Sequence, residues 1–355
     1  MAMSLVSVII ATFNSERTLP LVLESIRNQS YPQKDIEILI IDGGSQDATR
    51  TIARRFNCKV IRNPKVEPLY AKYLGYLKAK GKYIMTIDHD EVLVSPHSIE
   101  MKVRTFDENP SVKAVIGSGY VTPAGYGAIT KYINDFGDPF SFFMYRLSKH
   151  PSFFLATMRS RYRTVKETKE YAVFDLSSSS RLPLMELAAA SSVIDGDFFK
   201  KNFIEVNKKY YLMDHFLDFL RASYPHVAIL KNDGLLHYSS DTFSSYLQKI
   251  VWRVKNNIFY TSSIGSAGFY GRQGYGSPGF RLKKYLFLPY AYTLIGPSVD
   301  ALYLVLSRKD PSYVIHIPLT LLTASVILYY SCMRATGIKP GLTSYDGSVP
   351  AYEKN

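Results

Sequence analysis

The stretch "KGKYIMTIDHDEVL" (Lys80 to Leu93) runs through β-prone residues and then sets Asp88 and Asp90 two apart, with Glu91 beside them. Carboxylates this crowded repel one another unless a proton or a cation relieves them. The plain alternative is a helix N-terminus, where the dipole favours acidic groups. A cation site at the end of a strand and a helix start at the same place make different demands on the surrounding elements.

Those elements alternate. "VSVIIAT" reads as a strand, with Ser15 as a cap for a helix beginning at Glu16. "IEILIID" is a second strand, and Ser45 in "GGSQDATRTIARRF" can cap a second helix. "CKVIRN" follows as a strand, "LYAKYLGYLKAK" as a helix stopped by Gly81, "KYIMTID" as a fourth strand and "KAVIGSGYV" as a fifth. This rhythm predicts an α/β fold with a mainly parallel sheet. In open α/β sheets ligands bind beyond the carboxyl ends of the strands, and Asp42, Asp88 and Asp90 all fall there.

The 355 residues carry 43 Lys+Arg against 30 Asp+Glu, a net charge of +13 that suits anionic partners such as phosphates or an anionic membrane surface. The basic residues are dispersed or close to apolar runs and match no nucleic-acid motif, so no nucleic-acid partner is expected. Cys58 and Cys332 sit too far apart in character and sequence for a disulfide framework or a Cys-rich metal site. "MAMSLVSVII" lacks a basic n-region and turns straight into a strand, so it is not read as a signal peptide and the catalytic part is expected in the cytoplasm. Near the other end, "YLFLPYAYTLIGPSVDALYLVL" (Tyr285 to Leu306) and "YVIHIPLTLLTASVILYYSCM" (Tyr313 to Met333) are each long enough to cross a bilayer. Lys283 and Lys284 flank the pair on the side the positive-inside rule favours. A membrane hairpin, and hence a multi-pass protein of the cell membrane, is the expectation.

Between these parts the rhythm changes. Residues 125–183 hold the aromatic "YGAITKYINDFGDPFSFFMYRL" and the basic "RSRYRTVKETK", read as a surface insertion or a membrane-surface element. "DTFSSYLQKIVWRVKNNIFY" repeats Leu247, Ile250, Val251, Val254 and Ile258 at helical spacing among Lys249, Arg253 and Lys255, an amphipathic helix suited to an anionic interface. Gly265 to Gly279 is glycine-rich, a linker or a mobile lid.

Taken together, the motifs resemble those of family-2 glycosyltransferases with the GT-A fold, over roughly the first 260 residues. "VSVIIATFNSE" is similar to the opening strand and nucleotide-contacting loop, which assigns Ala11, Thr12, Phe13 and Glu16 to donor binding, with Ala11 where many members have Pro. "IDGGSQDAT" resembles D-D/N-G-S-x-D-x-T; Asp42 matches a base-contacting aspartate and Gly43 replaces the usual second Asp or Asn. "AKYLG" is similar to A-R/K-x-x-G, placing Lys72 at a donor-contacting position, and "DHD" matches D-x-D, adding Asp88 and His89. "LMD" (Leu212 to Asp214) stands where T/E-E-D is usual, with Met213 in place of Glu. "QKIVW" is similar to the Q-x-x-R-W of membrane-bound cellulose-synthase relatives, with Val251 for Arg and Arg253 after the Trp. Gln248 and Trp252 lie four apart and share a helix face, and with Arg253 they are the acceptor-binding candidates.

The resemblance implies a nucleotide-sugar donor and a divalent cation, Mn²⁺ or Mg²⁺, that neutralises the departing diphosphate. Asp90 is the first choice as direct ligand, Asp88 contacts ribose or metal, Glu91 assists, and His237 in "LLHYSS" matches a late histidine that closes the metal shell. The alternative for His237 is a structural histidine after a strand. Inverting members use a carboxylate to deprotonate the acceptor hydroxyl, here Asp214, with His215 and Asp218 as alternatives.

The expectation is therefore a membrane-bound, metal-dependent, inverting hexosyltransferase. Its GT-A catalytic domain spans 1–240, an interfacial helix and Gly-rich loop 241–282, transmembrane helices 283–334 and a tail 335–355. GDP-mannose as donor and a dolichyl- or polyprenyl-phosphate-linked acceptor, in lipid-linked glycan synthesis and protein glycosylation, are what resemblance to dolichyl-phosphate mannose synthases implies. The alternatives are a UDP-hexose transferase or polysaccharide synthase, and a catalytically silent nucleotide-sugar-binding membrane subunit.

Overall fold

A computed structural model describes residues 4–66, 68–177, 191–202, 220, 224–239, 242–259 and 277–341. The chain divides into two compact units, one from residues 1–121 and 149–237, the other from 122–148 and 238–349.

The first unit is built on strands β1 (Val6–Thr12), β2 (Ile36–Asp42), β3 (Lys59–Arg62), β4 (Tyr83–Asp88), β5 (Glu91–Leu93), β6 (Ala114–Ile116), β7 (Gly119–Val121), β8 (Arg163–Glu167), β9 (Tyr171–Asp175), β10 (Val193–Asp195), β11 (His226–Leu230) and β12 (Gly234–His237). Nine of them form one sheet in the order β3-β2-β1-β4-β10-β6-β11-β9-β8. The half from β3 to β4 is parallel, and β10 runs antiparallel to both β4 and β6. This is the expected α/β architecture. All seven residues of β1 are buried, as a central parallel strand requires.

Helices α1 (Leu19–Arg27), α2 (Thr49–Arg55), α3 (Pro68–Lys78) and α4 (Ser98–Glu108) connect these strands. The caps differ from the sequence reading. Pro20 sits in the first turn of α1, so the helix begins at Leu19 rather than Glu16, with the Leu19 amide bonded to the Ser15 carbonyl. At α2 the Thr49 amide donates to Asp47 at 3.0 Å, which does the work expected of Ser45.

The run "KAVIGSGYV" is not one strand. The chain leaves the large sheet after β6 and enters a second, three-stranded sheet ordered β5-β12-β7, and it does the same between β11 and β12. The two crossings are tied together where the Ser118 amide donates to the Asp233 carbonyl at 2.9 Å. Below them the Lys102 ammonium of α4 pairs with the Asp233 carboxylate, both side chains fully buried.

The second unit is helical: α5 (Ala128–Phe136) and α6 (Pro139–Tyr145), then, after α7 (Pro151–Arg161) and α8 (Gly196–Asn202) of the first unit, α9 (Phe243–Phe259), α10 (Pro278–Lys283), α11 (Phe287–Tyr292), α12 (Ile295–Arg308) and α13 (His316–Ala335). The aromatic segment near residue 140 thus belongs with the C-terminal helices. Tyr132, Phe136, Tyr246, Ile250, Leu304, Tyr313 and Leu319 form its main apolar cluster, with Val254 packed against it. Part of the apolar stripe of α9 is therefore used inside the protein.

The expected first arm of the membrane hairpin is not a continuous helix. Leu294 adopts φ 61° between α11 and α12, and α12 has 14 residues, about 21 Å against the roughly 30 Å of a bilayer core. Pro297 is tolerated because it falls in the first turn of α12, where amides lack helical partners. Among the described residues one helical stretch, Pro311–Ala335, is long and apolar enough to cross a membrane. His316, the titratable interruption in that stretch, hydrogen-bonds with Tyr132 Oη at 2.6 Å and Tyr290 Oη at 2.9 Å, and Tyr290 donates in turn to Asp300 at 2.5 Å. Arg146 completes this chain on Asp300 at 2.5 Å.

Candidate functional site

The carboxyl ends of β2, β1 and β4 lie side by side, with Thr12 opposite Asp42 and Ala11 opposite Asp88. Apolar strands ending in acidic residues thus deliver two carboxylates to one rim, on either side of β1.

Lys72 reaches this rim from α3. Its ammonium lies 2.8 Å from the Asp88 carboxylate. Burial acts to lower the Lys72 pKa, but the charge of Asp88 together with its hydrogen bond and the nearby Glu91 offsets it and the net shift is upward, so the lysine is held charged. Gly75, the glycine of the A-K-x-x-G motif, explains the approach: a Cβ there would overlap the side chain of Ile9, so only glycine lets α3 press onto β1.

Beyond Asp88 the chain turns through His89 and Asp90 into β5. Glu91 is 4 % exposed and organises this turn. One of its oxygens accepts the Asp88 amide at 3.1 Å, and the other accepts the Tyr120 hydroxyl at 2.5 Å. Burial, and then the neighbouring Asp88 charge, push the Glu91 carboxyl above its usual range. Glu91 also pairs across the sheet with His237, whose ring centroid lies 4.7 Å from that of Tyr120. The result brings His237 Nε2 to 3.6 Å from Asp90 Oδ2.

A carboxylate oxygen and an imidazole nitrogen at that separation can share one cation. Asp88 is turned to Lys72, and among the described residues no three His, Cys, Asp or Glu side chains converge to form a complete shell. Two protein donors with further positions left to substrate oxygens and water fit a hard divalent ion that keeps an open site. The residues present are compatible with Mn²⁺ or Mg²⁺.

Other candidates from the sequence are placed as follows. Both oxygens of Asp42 are engaged: Oδ1 accepts from the hydroxyls of Thr12 at 3.1 Å and Ser45 at 2.5 Å, Oδ2 from the amides of Gly44 and Ser45 at 3.0 Å each. Asp42 is a loop organiser, 2 % exposed. Gly43 has a local reason too, since a Cβ there would stand 3.1 Å from the Phe13 ring. Glu16 exchanges bonds with the facing loop, accepting from the Ala48 amide at 2.9 Å and donating its own amide to Asp47 at 3.0 Å. His89 Nδ1 lies 3.2 Å from the Thr18 hydroxyl, beside the start of α1.

Gln248, Trp252 and Arg253 sit on α9 in the second unit, where Arg253 pairs with Asp138 at 3.2 Å. Asp214, His215 and Asp218 lie outside the described residues. The basic run is largely compensated: Arg159 pairs with Glu167, and Arg163 with Asp175 at 2.6 Å. Tyr120 was not picked out by sequence reasoning; only its strand pattern was visible.

Comparison with known proteins bears on this geometry. Residues 7–167 match the sequence model described as Glycosyl transferase family 2. A dolichyl N-acetyl-alpha-D-glucosaminyl phosphate 3-beta-D-2,3-diacetamido-2,3-dideoxy-beta-D-glucuronosyltransferase of Methanococcus voltae is 32 % identical over 125 residues, covering 32 % of this chain and 39 % of that protein. A glycosyltransferase of Haloferax volcanii is 33 % identical over 98 residues, covering 26 % and 31 %. The matches thus span well under half the length of these relatives. Among solved structures, a mannosyltransferase of Pyrobaculum calidifontis in complex with GDP-Man and Mn²⁺ shares the fold at TM-score 0.52 and 14 % identity, covering 92 % of this chain and 88 % of that one.

Proposed function

We propose that this chain, whose residues 7–167 match the family-2 glycosyltransferase model, is a membrane-bound, inverting enzyme moving a hexose from a nucleotide-sugar to a dolichyl- or polyprenyl-phosphate-linked acceptor. Mannose from GDP-mannose is the first choice of donor. The observation that carries the reading is the Asp90–His237 pair beside the Asp88–Lys72 pair, at the carboxyl ends of parallel strands.

Asp90 and His237 would hold the divalent cation, which when bound supplies charge to offset that developing on the leaving diphosphate. Lys72 fixes Asp88 and presents a permanent positive charge at the same rim. Glu91 and Tyr120 keep the turn and the histidine in register. Asp214 is proposed to accept the proton of the acceptor hydroxyl, with Asp218 or His215 in that role if the motif is phased differently.

A relative named for transfer to a dolichyl-phosphate-linked sugar supports the lipid acceptor. The stretch Pro311–Ala335 supports membrane attachment. So does α12, which exposes Ile295, Val299, Leu302, Tyr303 and Leu306 along one face, a surface suited to lipid. In this reading the catalytic domain lies on the cytoplasmic side.

The test is a screen of labelled GDP-mannose and UDP-hexoses against polyprenyl-phosphate and polyprenyl-linked saccharide acceptors, in detergent with Mn²⁺. Label should pass into the lipid fraction with one donor class. Nucleotide-sugar binding without transfer to any lipid would point to the silent binding subunit instead.

A further inference from the structure

The stretch Pro311–Ala335 is long enough to cross a bilayer, but polar parts of the second unit accompany it at both ends and along one side. At its beginning, α5 clasps the turn between α12 and α13. Lys131 pairs with Asp310, Tyr313 donates its hydroxyl to Asp135 at 2.7 Å, and Arg308 lies 3.7 Å from the same carboxylate. At its end, Arg334 donates to the Ile258 carbonyl of α9 at 2.9 Å. Just beyond, the Lys255 ammonium holds the Gly341 carbonyl at 3.1 Å. Between these ties α9 runs beside α13 in the same direction. Tyr246 and Ile250 share an apolar cluster with Leu319, and the Phe259 ring stands 6.2 Å from that of Tyr330.

These ties decide what α13 can do in a bilayer. A crossing helix puts its two ends in water on opposite faces, about 30 Å of hydrocarbon apart. The turn at 308–312 would then carry α5 to the far face. Yet α5 lies within residues 122–148, which begin and end in the chain of the first unit and contain no helix long and apolar enough to cross. α9 would have to cross beside α13, sinking Lys249, Arg253 and Lys255 to membrane depth, where each charge is costly. In a crossing hairpin Lys283, Lys284 and Arg334 flank one side and Arg308 and Lys309 the other, which defeats the positive-inside bias. The exposed apolar surface needs no crossing. On α12, Ile295, Val299, Leu302 and Leu306 recur at i, i+4, i+7 and i+11, all exposed along one face. Such a helix fits a bilayer lying flat, its apolar face among the acyl chains and its basic neighbours at the headgroups.

We propose that the second unit is monotopic: α12 and α13 lie in one leaflet of an anionic membrane, and neither crosses it. The inference rests on the membrane-bound reading given above and replaces a crossing helix with one seated at the surface. The exposed face of α12 meets acyl chains. The basic residues of the turn and of both flanks meet lipid phosphates from the same side.

The experiment uses the full chain, reconstituted from detergent into sealed vesicles of phosphatidylcholine and phosphatidylglycerol. Cysteines are placed at exposed positions on either side of α13, Lys309→Cys and Lys339→Cys, in a chain carrying Cys58→Ala and Cys332→Ser. A membrane-impermeant maleimide is added, and intact-mass measurement counts labels per molecule, whichever way each molecule was inserted. A unit seated in one leaflet gives molecules with two labels or with none, whereas a crossing helix gives one label on each. In a second measurement, the parent chain and Val299→Asp/Leu302→Asp are compared by flotation with the same vesicles. Both positions are exposed, so the thermal unfolding curve should not move, while the vesicle-bound share should fall about tenfold or more. A vesicle population without doubly labelled molecules, or undiminished flotation of the double variant, overturns the proposal. If the parent chain does not float with the vesicles at all, the membrane-bound reading itself fails.

Discussion

Asp90 Oδ2 and His237 Nε2 stand 3.6 Å apart, although one lies in the turn after β4 and the other ends β12. Two chain segments far apart in sequence are brought together by the small three-stranded sheet, and Glu91 is its hinge pin. If this pair holds the cation, Asp90→Ala should abolish turnover and remove Mn²⁺-dependent nucleotide binding. The thermal unfolding curve should stay nearly unchanged, because the carboxylate is not part of the core. Full activity in that variant would sink the assignment.

Glu91 touches neither donor nor acceptor in this account; it positions the turn and, through Tyr120, the histidine. Glu91→Gln keeps the shape and weakens both bonds, so Mn²⁺ affinity should fall roughly 10–100-fold, the range for partners that orient metal ligands. Tyr120→Phe should show a smaller loss in the same direction. Metal titration followed by manganese spin resonance measures both, and equal Mn²⁺ affinity across the set would make Glu91 merely structural.

The buried Lys102–Asp233 pair joins α4 to the crossing that leads into β12. Lys102→Met leaves a carboxylate buried without its counter-charge and should cost about 3–5 kcal/mol in chemical denaturation. Adding Asp233→Leu should recover much of that loss, since removing both charges relieves the desolvation penalty. If the single variant is as stable as the parent, the pair does not hold the crossing.

Asp214→Asn preserves size and removes basicity. Donor affinity should survive while kcat falls by roughly 10²–10⁴, the span of general base catalysis. A larger loss from Asp218→Asn would shift the role four residues along the chain. Little loss from Asp214, His215 or Asp218 would favour an acceptor that is already ionised, such as a lipid phosphate.

The legible parts of the molecule were those where local chemistry and global fold agree. β1, β2 and β4 are apolar runs that end in polar or acidic residues, and both their parallel pairing and their rim could be anticipated. The A-K-x-x-G stretch signalled Lys72, and the structure adds why its glycine is needed. The split of "KAVIGSGYV" into β6 and β7 was hidden, because Gly-Ser in a β-prone run does not announce a change of sheet; the tie to Asp233 that fixes it is non-local. The first apolar run near the C-terminus had the length of a span, but the left-handed Leu294 that breaks it is not signalled by composition. Asp42 was visible as a site residue by motif, while the saturation of its oxygens depends on Thr12 and Ser45 meeting it in space.

The most direct test of the central claim is sugar transfer itself. Full-length protein in detergent, given labelled GDP-mannose, Mn²⁺ and a polyprenyl-phosphate-linked acceptor, should move label into the lipid phase. That signal should vanish on chelation with EDTA, return with added Mn²⁺, and be absent in Asp90→Ala. Transfer that proceeds undiminished in EDTA, or in Asp90→Ala with Mn²⁺ present, would contradict the account.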